Sequence, residues 1–244
     1  IEKSNDHYRL GIHISDVGHF IKKDSPIDQE AVHRASSIYM PDRKIPMIPP
    51  GLAEGLCSLR AGELRPAIST FVQIGSYGNI GDVEVVPSLI TVQRQLSYYD
   101  VNTVTEEDEE IRILYDIARQ FRQKRLAQGA LQITLPEINI WVDQEGNPAV
   151  SKINRESPGR MLVAELMIMA NWLMARFLAD RQVPAIFRSQ PEPRGRLFKN
   201  DEGTLYQNWA QRKLLNRFSL GHAAEHHAGQ GLEAYVTATS PSRT

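Results

Sequence analysis

A long apolar segment constrains the fold of this chain more than any other feature of its sequence. Between residues 161 and 174 apolar side chains fall on nearly every side of a helix, and the polar exceptions are Glu165 and Asn171. Such a helix has no face that it can turn to water, so other elements must surround it. The sequence therefore predicts a central helix over residues 159–181, the longest of the fold.

Glu165 within this helix needs a partner. A buried carboxylate without one costs several kcal/mol, so it must meet a cation, a hydrogen-bond donor or a metal, or take up a proton. A structural ion pair with an arginine such as Arg160 or Arg188 satisfies this requirement. Contact with a bound ligand also satisfies it, because functional sites often contain such carboxylates. The residue pattern favours the structural pair.

The other segments combine strands with helices in no regular alternation. Residues 8–14 alternate between apolar and polar side chains, which predicts a half-buried strand, and residues 19–22 suggest a second one. Ser25 followed by Pro26 predicts the start of a helix that runs to about Ser36. Further expected elements are strands over 67–74 and 83–95 joined by a turn at 76–79, a helix through 111–121, a hairpin of 138–142 with 149–153, and a helix over 204–218.

These patterns predict the fold class. Strands and long helices without a repeated strand–helix–strand order argue for an α+β fold. We expect a single large domain in which a mixed β-sheet is packed by long helices. Residues 39–50 include four prolines, so we expect an ordered loop or extended segment there.

The composition limits the partners and the location of the chain. The formal net charge is −1, so bulk charge does not point to a nucleic-acid binder. The single cysteine, Cys57, excludes an internal disulfide framework and suits a reducing, cytoplasmic location. No apolar run approaches the roughly 20 residues of a membrane span, so we expect no membrane contact. The chain opens with Ile1 instead of methionine, which suggests a piece of a longer protein.

Aromatic and basic side chains outside the apolar helix are candidates for ligand binding. Tyr39, Tyr98 and Tyr99 lie at the edges of irregular segments, where a ring can stack on an unpaired base or cover the edge of a core. Arg243 follows Pro241 in a turn-like segment. It could hold a phosphate, or it could be an ordinary surface arginine near the chain end.

Histidines and aspartates are further candidates. His222 and His226 are four residues apart and could bind a metal together with His227. Solvated histidines among glycines explain the same pattern. Asp16 follows the first predicted strand, where it could be a metal ligand or a turn residue, and the turn is the simpler interpretation.

The linear order of several motifs resembles one family. The sequence is similar to the catalytic domain of ribonuclease II and ribonuclease R, the RNB domain, over nearly its whole length. The likeness is most specific over residues 39–49 and weakest over residues 190–230. The matching segments are LGIHISDV (10–17), SPIDQEA (25–31), YMPDRKIPMIP (39–49), GLCSLR (55–60), LSY (96–98), VAELMIMAN (163–171), AY (234–235) and TSP (239–241).

The resemblance implies a reaction and a role for four residues. Family members hydrolyse single-stranded RNA from its 3′ end to nucleoside monophosphates, using water activated by a divalent metal, Mg²⁺ or Mn²⁺. By this resemblance Tyr39 orients the terminal nucleotide near the scissile phosphate, and Tyr98 packs on a base further along the strand. Glu165 contacts the sugar of the terminal nucleotide, where the 2′-hydroxyl distinguishes RNA from DNA. Arg243 assists cleavage of the phosphate.

Two departures from the family pattern bear on activity. The metal-binding aspartates of the family lie in a short motif just before the position of Ile1, and Asp16 and Asp42 do not match them. We therefore expect no metal ligand in this chain. Ser242 stands where the family has isoleucine, and the chain ends at Thr244 before the expected Arg-Tyr continuation.

These observations lead to one main expectation and its alternatives. We expect residues 1–244 to be an RNB-type exoribonuclease catalytic domain, truncated at both ends, that alone hydrolyses RNA negligibly because metal-dependent hydrolysis needs the missing carboxylates. Flanking OB-fold RNA-binding domains are expected in the intact protein. One alternative is a catalytically inactive RNA-binding or scaffolding relative of the same fold, and another is a histidine–metal hydrolase. The main expectation requires that Tyr39, Glu165 and Arg243 meet in one tunnel.

Overall fold

Strands and helices alternate irregularly along the chain. The structure is a computed structural model that describes residues 1–4, 7–104, 107–143, 145–199 and 202–237. The strands are β1 (Glu2–Ser4), β2 (His7–Ser15), β3 (Ile38–Tyr39), β4 (Lys44–Ile45), β5 (Leu64–Ile74), β6 (Ile80–Thr91), β7 (Glu137–Val142), β8 (Pro148–Ile153), β9 (Phe187–Ser189) and β10 (Ser219–Gly221). The helices are α1 (Val17–Phe20), α2 (Pro26–Arg34), α3 (Tyr98–Val104), α4 (Glu109–Ala127), α5 (Pro158–Asp180) and α6 (Leu205–Leu214), with a π-helical turn at Gly51–Leu56 and a 3₁₀ turn at Ser76–Gly78.

A four-stranded sheet with the strand order β1-β2-β5-β6 forms one layer of the fold. β2 pairs with β5 from Tyr8 opposite Ile74 to Ser15 opposite Ala67. Because alternate residues of a strand face the same side, the inward side chains of these two strands form one apolar surface. Its buried members are Leu10, Ile12, Val72 and Ile74.

α5 packs with this apolar surface at the centre of the core. Met169 and Leu173 of α5 are buried together with Ile117 and Phe121 of α4 and the inward residues of the sheet. The prediction of a long enclosed helix over residues 159–181 is therefore confirmed. Towards its C-terminal end α5 contributes to a second core cluster, which consists of Ile68, Met174, Ala175, Leu178, Ala185, Phe187, Ala234 and Val236.

Side-chain caps fix where two helices begin. The Ser25 hydroxyl accepts a hydrogen bond from the backbone N–H of Asp28 at the start of α2, as the sequence predicts. The Asp108 carboxylate accepts one from the N–H of Ile111 at the start of α4. Each such cap satisfies a backbone donor that the helix itself cannot, and contributes about 1 kcal/mol.

The predicted α+β class is confirmed, and the predicted long helices and hairpins are present. The sheet differs from the expected mixed one, because β1 with β2, β2 with β5 and β5 with β6 all pair antiparallel. The short turn at Ser76–Gly78 requires β5 and β6 to pair antiparallel, since parallel neighbours need a long crossover. Parallel pairing is found at isolated bridges such as that between Ala61 and Val92.

Two local predictions were wrong where tertiary packing decided the outcome. Residues 19–22 do not form a strand, because the chain turns through α1 and the N–H of Ile21 donates to the carbonyl of Val17. This turn places Ile21 in the core. The helix expected over residues 204–218 ends at Leu214, and residues 219–221 form β10 instead.

α3 was not expected from the sequence. It packs on the start of α5, where the N–H of Gly159 donates to the Asn102 side chain at 2.9 Å. A Cβ atom at Gly159 would lie 3.1 Å from the Tyr98 carbonyl oxygen, so the two helices approach closely at a residue without a side chain. A seven-residue helix depends on such packing more than on propensity.

α5 corrects one statement about apolar length, while the expectation of no membrane contact stays a prediction. Its 23 residues are long and apolar enough to cross a membrane by length and composition, so the statement that no run approaches that length was wrong. In the structure 61% of its most apolar window is buried inside the protein. Burial of this kind is typical of the core helix of a folded domain.

We predict that truncating Met169 destabilises the fold far more than truncating Met167 on the same helix. Met169 is 1% exposed and Met167 is 38% exposed. Met169→Ala should lower the free energy of unfolding by about 2–5 kcal/mol, because it removes buried contacts and leaves a cavity. Met167→Ala should lower it by less than about 1 kcal/mol. Urea unfolding of both variants measures the difference, and equal losses would contradict the placement of α5.

Candidate functional site

Glu165 forms a buried ion pair with Arg125 of α4. The two residues are 3% and 4% exposed. Arg125 Nη2 lies 2.6 Å from Glu165 Oε1 and 2.7 Å from Oε2, and Arg125 Nε lies 3.0 Å from Oε2. When one edge of a guanidinium faces both oxygens of a carboxylate, the two groups form strong, charge-assisted hydrogen bonds. This pairing supplies the cation that a buried carboxylate requires.

Arg125 also connects a third segment to this pair. Its Nη1 atom donates to the backbone carbonyl of Gln230 at 2.9 Å and to the Gln230 side-chain oxygen at 3.1 Å. Beside it, Gly231 has a φ of +64°, and a Cβ atom there would lie 2.7 Å from the Arg125 carbonyl oxygen and 2.8 Å from the Ala130 amide nitrogen. A side chain does not fit this approach. The ion pair therefore joins α4, α5 and the loop of residues 226–232.

The structural interpretation of Glu165 is confirmed in kind, with a different arginine from those named in advance. Arg160 instead lies over the ring of Tyr98 at 4.4 Å, and Arg188 lies over the ring of Phe218 at 4.0 Å. The contact of Glu165 with a nucleotide sugar stays a prediction. It requires a hydroxyl to share carboxylate oxygens that already accept from Arg125.

Arg125 was not singled out from the sequence, although its position on α4 could have indicated it. The buried face of α4 carries Ile111, Ala118 and Phe121. Arg125 lies one helical turn beyond Phe121 on that face, in the position where a further apolar residue would be expected. A lone arginine on a buried helix face calls for a buried carboxylate, and Glu165 is the buried acid on α5.

Tyr39 ends strand β3 in the small hairpin of β3 and β4. Its side chain is 75% exposed, and the ammonium of Lys44 lies 5.4 Å from the centre of its ring. The amide of Val142 in β7 donates to the carbonyl of Pro41 at 3.1 Å, so the hairpin rests against β7. The prediction of an ordered, partly extended segment over residues 39–50 is confirmed.

Tyr98 lies at the start of α3 beside the first turn of α5. It is 42% exposed, and the guanidinium of Arg160 stacks 4.4 Å from its ring centre. Arg160 and Glu165 are five residues apart on α5, which places them about 7.5 Å apart along the helix axis. The structure thus brings Tyr98 to the same helix as Glu165. Tyr99, the neighbouring candidate, is exposed to solvent.

Arg243 and the motif at residues 239–241 lie outside the described residues. The strand-like segment that precedes them is held in place, because the N–H of Arg188 donates to the carbonyl of Tyr235 at 2.8 Å and Phe187 bridges to Val236. The meeting of Tyr39, Glu165 and Arg243 in one tunnel therefore stays a prediction.

The histidines do not combine into a metal site in the described part of the chain. No group of three or more His, Cys, Asp or Glu side chains there could hold a metal ion. His226 instead lies 3.7 Å from Glu192, and His227 is buried apart from it. Asp16 immediately precedes α1, and its carbonyl accepts from the N–H of His19, as expected of a turn residue.

His227 is held neutral by its surroundings. Burial, and after it the positive charge of Arg188, lower its pKa from the usual 6.5 to about 4. Its Nδ1 atom is buried and has no hydrogen-bond partner among the described residues. The ring lies edge-on to Tyr235, with the ring centres 5.5 Å apart.

Comparison with known proteins finds relatives along nearly the whole chain. The family model described as the RNB domain matches residues 1–208. An uncharacterized ribonuclease of Synechocystis is 32% identical over 97% of this chain and 36% of its own length. Including this ribonuclease, three curated relatives are matched over only 30–36% of their own length.

Solved structures share the fold. RNase R of Mycoplasma genitalium, in complex with ribose-methylated single-stranded RNA, superposes with a TM-score of 0.82 and 22% identity over 98% of this chain and 44% of that chain. Yeast Ssd1, described as a pseudonuclease, superposes with a TM-score of 0.77 and 17% identity over 99% of this chain and 35% of that chain.

We predict that the Arg125–Glu165 pair is far more sensitive to the loss of one partner than to the loss of both. Glu165→Gln should lower the free energy of unfolding by about 3–5 kcal/mol, because it leaves a guanidinium buried without its counter-charge. The double variant Arg125→Met with Glu165→Leu should lose less than Glu165→Gln alone, because it leaves no charge buried without a partner. Denaturant unfolding of the unchanged protein and of these two variants measures the difference.

The exposed pair of Glu30 and Arg34 on α2 is a matched control, with its atoms 2.7 Å apart. Glu30→Gln should leave the free energy of unfolding almost unchanged, because water screens the pair. Similar losses at Glu30 and Glu165 would contradict the burial and geometry described for Arg125.

We predict a pH dependence of stability that originates at His227. As the pH falls below 6.5 the histidine of the unfolded chain takes up a proton, whereas the folded one does so only near pH 4. The unfolded state therefore binds more protons between these values, so stability falls through this window by on the order of 1–2 kcal/mol and is unaffected above it. His227→Gln should flatten this part of a thermal-unfolding profile, while the exposed His226→Gln should not.

Proposed function

The chain belongs to the RNB domain family, as its motif order indicated, and on this premise we propose that it is the body of a 3′-to-5′ exoribonuclease. The proposed reaction hydrolyses single-stranded RNA to nucleoside monophosphates, and the proposed contribution of this chain is to bind and orient the RNA. The main support is that Tyr39 and Tyr98, the residues that the resemblance assigns to RNA, both carry exposed rings beside a cation.

The surroundings of these two tyrosines suit stacking on bases. A core tyrosine covers its ring with apolar neighbours, whereas the Tyr39 ring is 75% exposed. Arg160 stacks on the Tyr98 ring and places a positive charge beside it, whereas Lys44, near the Tyr39 ring, is paired with Glu54 at 3.0 Å. Stacking on one aromatic ring contributes about 1–3 kcal/mol per base and tolerates any sequence. Both features suit an enzyme that acts on RNA without regard to sequence.

We propose further that Glu165 contacts the sugar of the terminal nucleotide and that Arg243 assists cleavage of the phosphate. Arg125 fixes the orientation of the Glu165 carboxylate, and each of its oxygens can accept more than one hydrogen bond. A hydroxyl that adds to this carboxylate meets an acceptor whose position is already set. The role of Arg243 rests on the family motif alone.

The described residues do not fit a catalytic metal. They include no cluster of three or more potential ligands, and a divalent magnesium ion needs carboxylate oxygens. We propose that the intact protein uses Mg²⁺ or Mn²⁺ held by carboxylates outside this sequence. On this proposal the chain alone is inactive, and no step that involves the metal is assigned to its residues.

We also propose flanking OB-fold RNA-binding domains and a cytoplasmic location for the intact protein. The net charge of −1 gives this chain no general attraction for a polyanion, although RNA binding depends on neutralising phosphates. The relatives that it matches are about three times as long as the region aligned with it. The family model matches residues 1–208. We also propose that residues 209–244 belong to the same single domain.

A second candidate function is a non-catalytic RNA-binding relative. Yeast Ssd1, named as a pseudonuclease, has the same fold, so the fold by itself does not require chemistry. The lack of a ligand cluster in the described part of this chain is compatible with both candidates. They differ only in whether RNA is shortened.

We predict that the full-length protein removes nucleotides one at a time from the 3′ end, and that this chain alone does not. A 5′-labelled oligoribonucleotide should give a descending ladder with Mg²⁺ and none with a chelator. Tyr39→Ala and Tyr98→Ala should each weaken RNA binding by about 5- to 150-fold, the equivalent of one lost stacking contact.

Tyr77→Ala is the matched control, because this tyrosine is 87% exposed and lies in the turn between β5 and β6. It should bind and degrade RNA like the unchanged protein. A full-length protein that binds RNA tightly but leaves it intact with Mg²⁺ or Mn²⁺ would favour the non-catalytic candidate. Strong metal-dependent hydrolysis by the 244-residue chain would contradict the proposed division of roles.

A further inference from the structure

Arg188 and His227 form a polar cluster that the described chain does not satisfy. Arg188 Nε and His227 Nδ1 are buried, and neither has a hydrogen-bond partner among the described residues. Native proteins leave few such atoms, since a buried polar atom without a partner loses its hydrogen bonds to water and forms none to replace them. The two side chains lie near each other, since the charge of Arg188 acts on His227, so one ligand could satisfy both atoms.

The backbone holds both residues firmly. Arg188 lies in the middle of β9, opposite Leu220 of β10, and its N–H donates to the carbonyl of Tyr235. The neighbours of Arg188 in β9 are buried on the other side of the strand, so its side chain points away from them. His227 is fixed by its own N–H, which donates to the carbonyl of Leu232 at 2.8 Å.

The chemistry of the cluster selects an anion. The Arg188 guanidinium stacks 4.0 Å from the centre of the Phe218 ring and forms no ion pair with the carboxylates in the described ranges. His227 beside it is neutral, because burial and the charge of Arg188 both lower its pKa. A guanidinium without counter-charge next to an uncharged imidazole repels a metal ion. The planar edge that carries Nε suits two oxygens of one tetrahedral anion.

The position of the cluster relates it to the candidate RNA site. β9 is hydrogen-bonded to residues 235–236, which lead into the segment that contains Arg243. The loop that carries His227 also carries Gln230, which binds Arg125, the partner of Glu165. A ligand on Arg188 and His227 would therefore touch the same loop that supports the Glu165 pair.

We propose that Arg188 and His227 bind one phosphate group of the RNA strand and act as positioning residues for it. This inference rests on the proposed function and adds a specific anion contact to it. A carboxylate from another part of the full-length protein is the competing occupant. The two occupants differ in their response to salt and to changes in the RNA, and the experiment uses both responses.

The test compares three variants of the full-length protein in RNA binding without divalent metal. Arg188→Met keeps an apolar side chain against Phe218 and removes the charge. Arg188→Lys keeps the charge and removes the planar guanidinium with its paired donors. Arg181→Met is the matched control, because Arg181 stacks in the same way on Phe177 at 3.8 Å and lies on the surface. The measurements are the dissociation constant for a single-stranded oligoribonucleotide between low and moderate salt, and the thermal unfolding of each variant.

We expect Arg188→Met to bind RNA about tenfold or more weakly, the loss of a hydrogen bond to a charged group. The slope of log K against log salt should fall by about 0.7, the value for one phosphate contact on a single strand. Arg188→Lys should keep the slope and lose part of the affinity, and Arg181→Met should change neither. An oligoribonucleotide with one methylphosphonate linkage at the contacted position should bind the unchanged protein and Arg188→Met equally.

Two results would overturn the inference in distinguishable ways. An Arg188→Met protein with lowered thermal stability and an unchanged salt slope would place a protein carboxylate on Arg188, and the proposed function would remain intact. An unchanged full-length protein that does not bind RNA at all would remove the proposed function and this inference together.

Discussion

The buried pair of Arg125 and Glu165 is the interaction on which the rest of the candidate site depends. Removing two charges from water is costly, and this cost is offset only where the geometry satisfies both groups. Here Arg125 uses Nε and Nη2 for the carboxylate and Nη1 for Gln230, so one guanidinium fixes α4, α5 and the loop of residues 226–232 together. Apolar side chains could pack these elements in several registers, whereas a forked donor accepts one. We infer that the pair specifies the arrangement of the core more than it adds to its stability.

The local elements could be predicted because their signals are local. The enclosed helix over residues 159–181 follows from its composition, and the start of α2 follows from Ser25 and Pro26. α3 was missed although Ser97 and Asp100 cap its start reciprocally, and its seven residues also depend on packing against Gly159, more than fifty positions further along the chain. The turn at α1 has the same origin, since burial of Ile21 decides it. Wherever a segment derives its stability from a distant partner, its own residues do not reveal it.

The candidate site was predictable to a similar degree. Burial made it certain that Glu165 had a partner, but which of several arginines met it depended on how α4 packs against α5. The motif order identified Tyr39 and Tyr98, whose rings are exposed, and the roles assigned to them by resemblance stay predictions. Arg188 and His227 were both candidates in the sequence, but in other roles, because an unsatisfied buried atom is a property of the folded surroundings and not of the residue.

The low net charge of the chain connects these separate features. A chain with a net charge of −1 does not attract RNA through a broad positive field, so on the proposed function the RNA contacts come from individual cations. Arg160 and Arg188 each stack on an aromatic ring, which holds a long flexible side chain in one place before any ligand arrives. A cation held in this way loses little freedom when a phosphate binds, so a few such residues can replace many mobile ones. On the proposed function, long-range attraction then belongs to the flanking domains and placement of the strand to this chain.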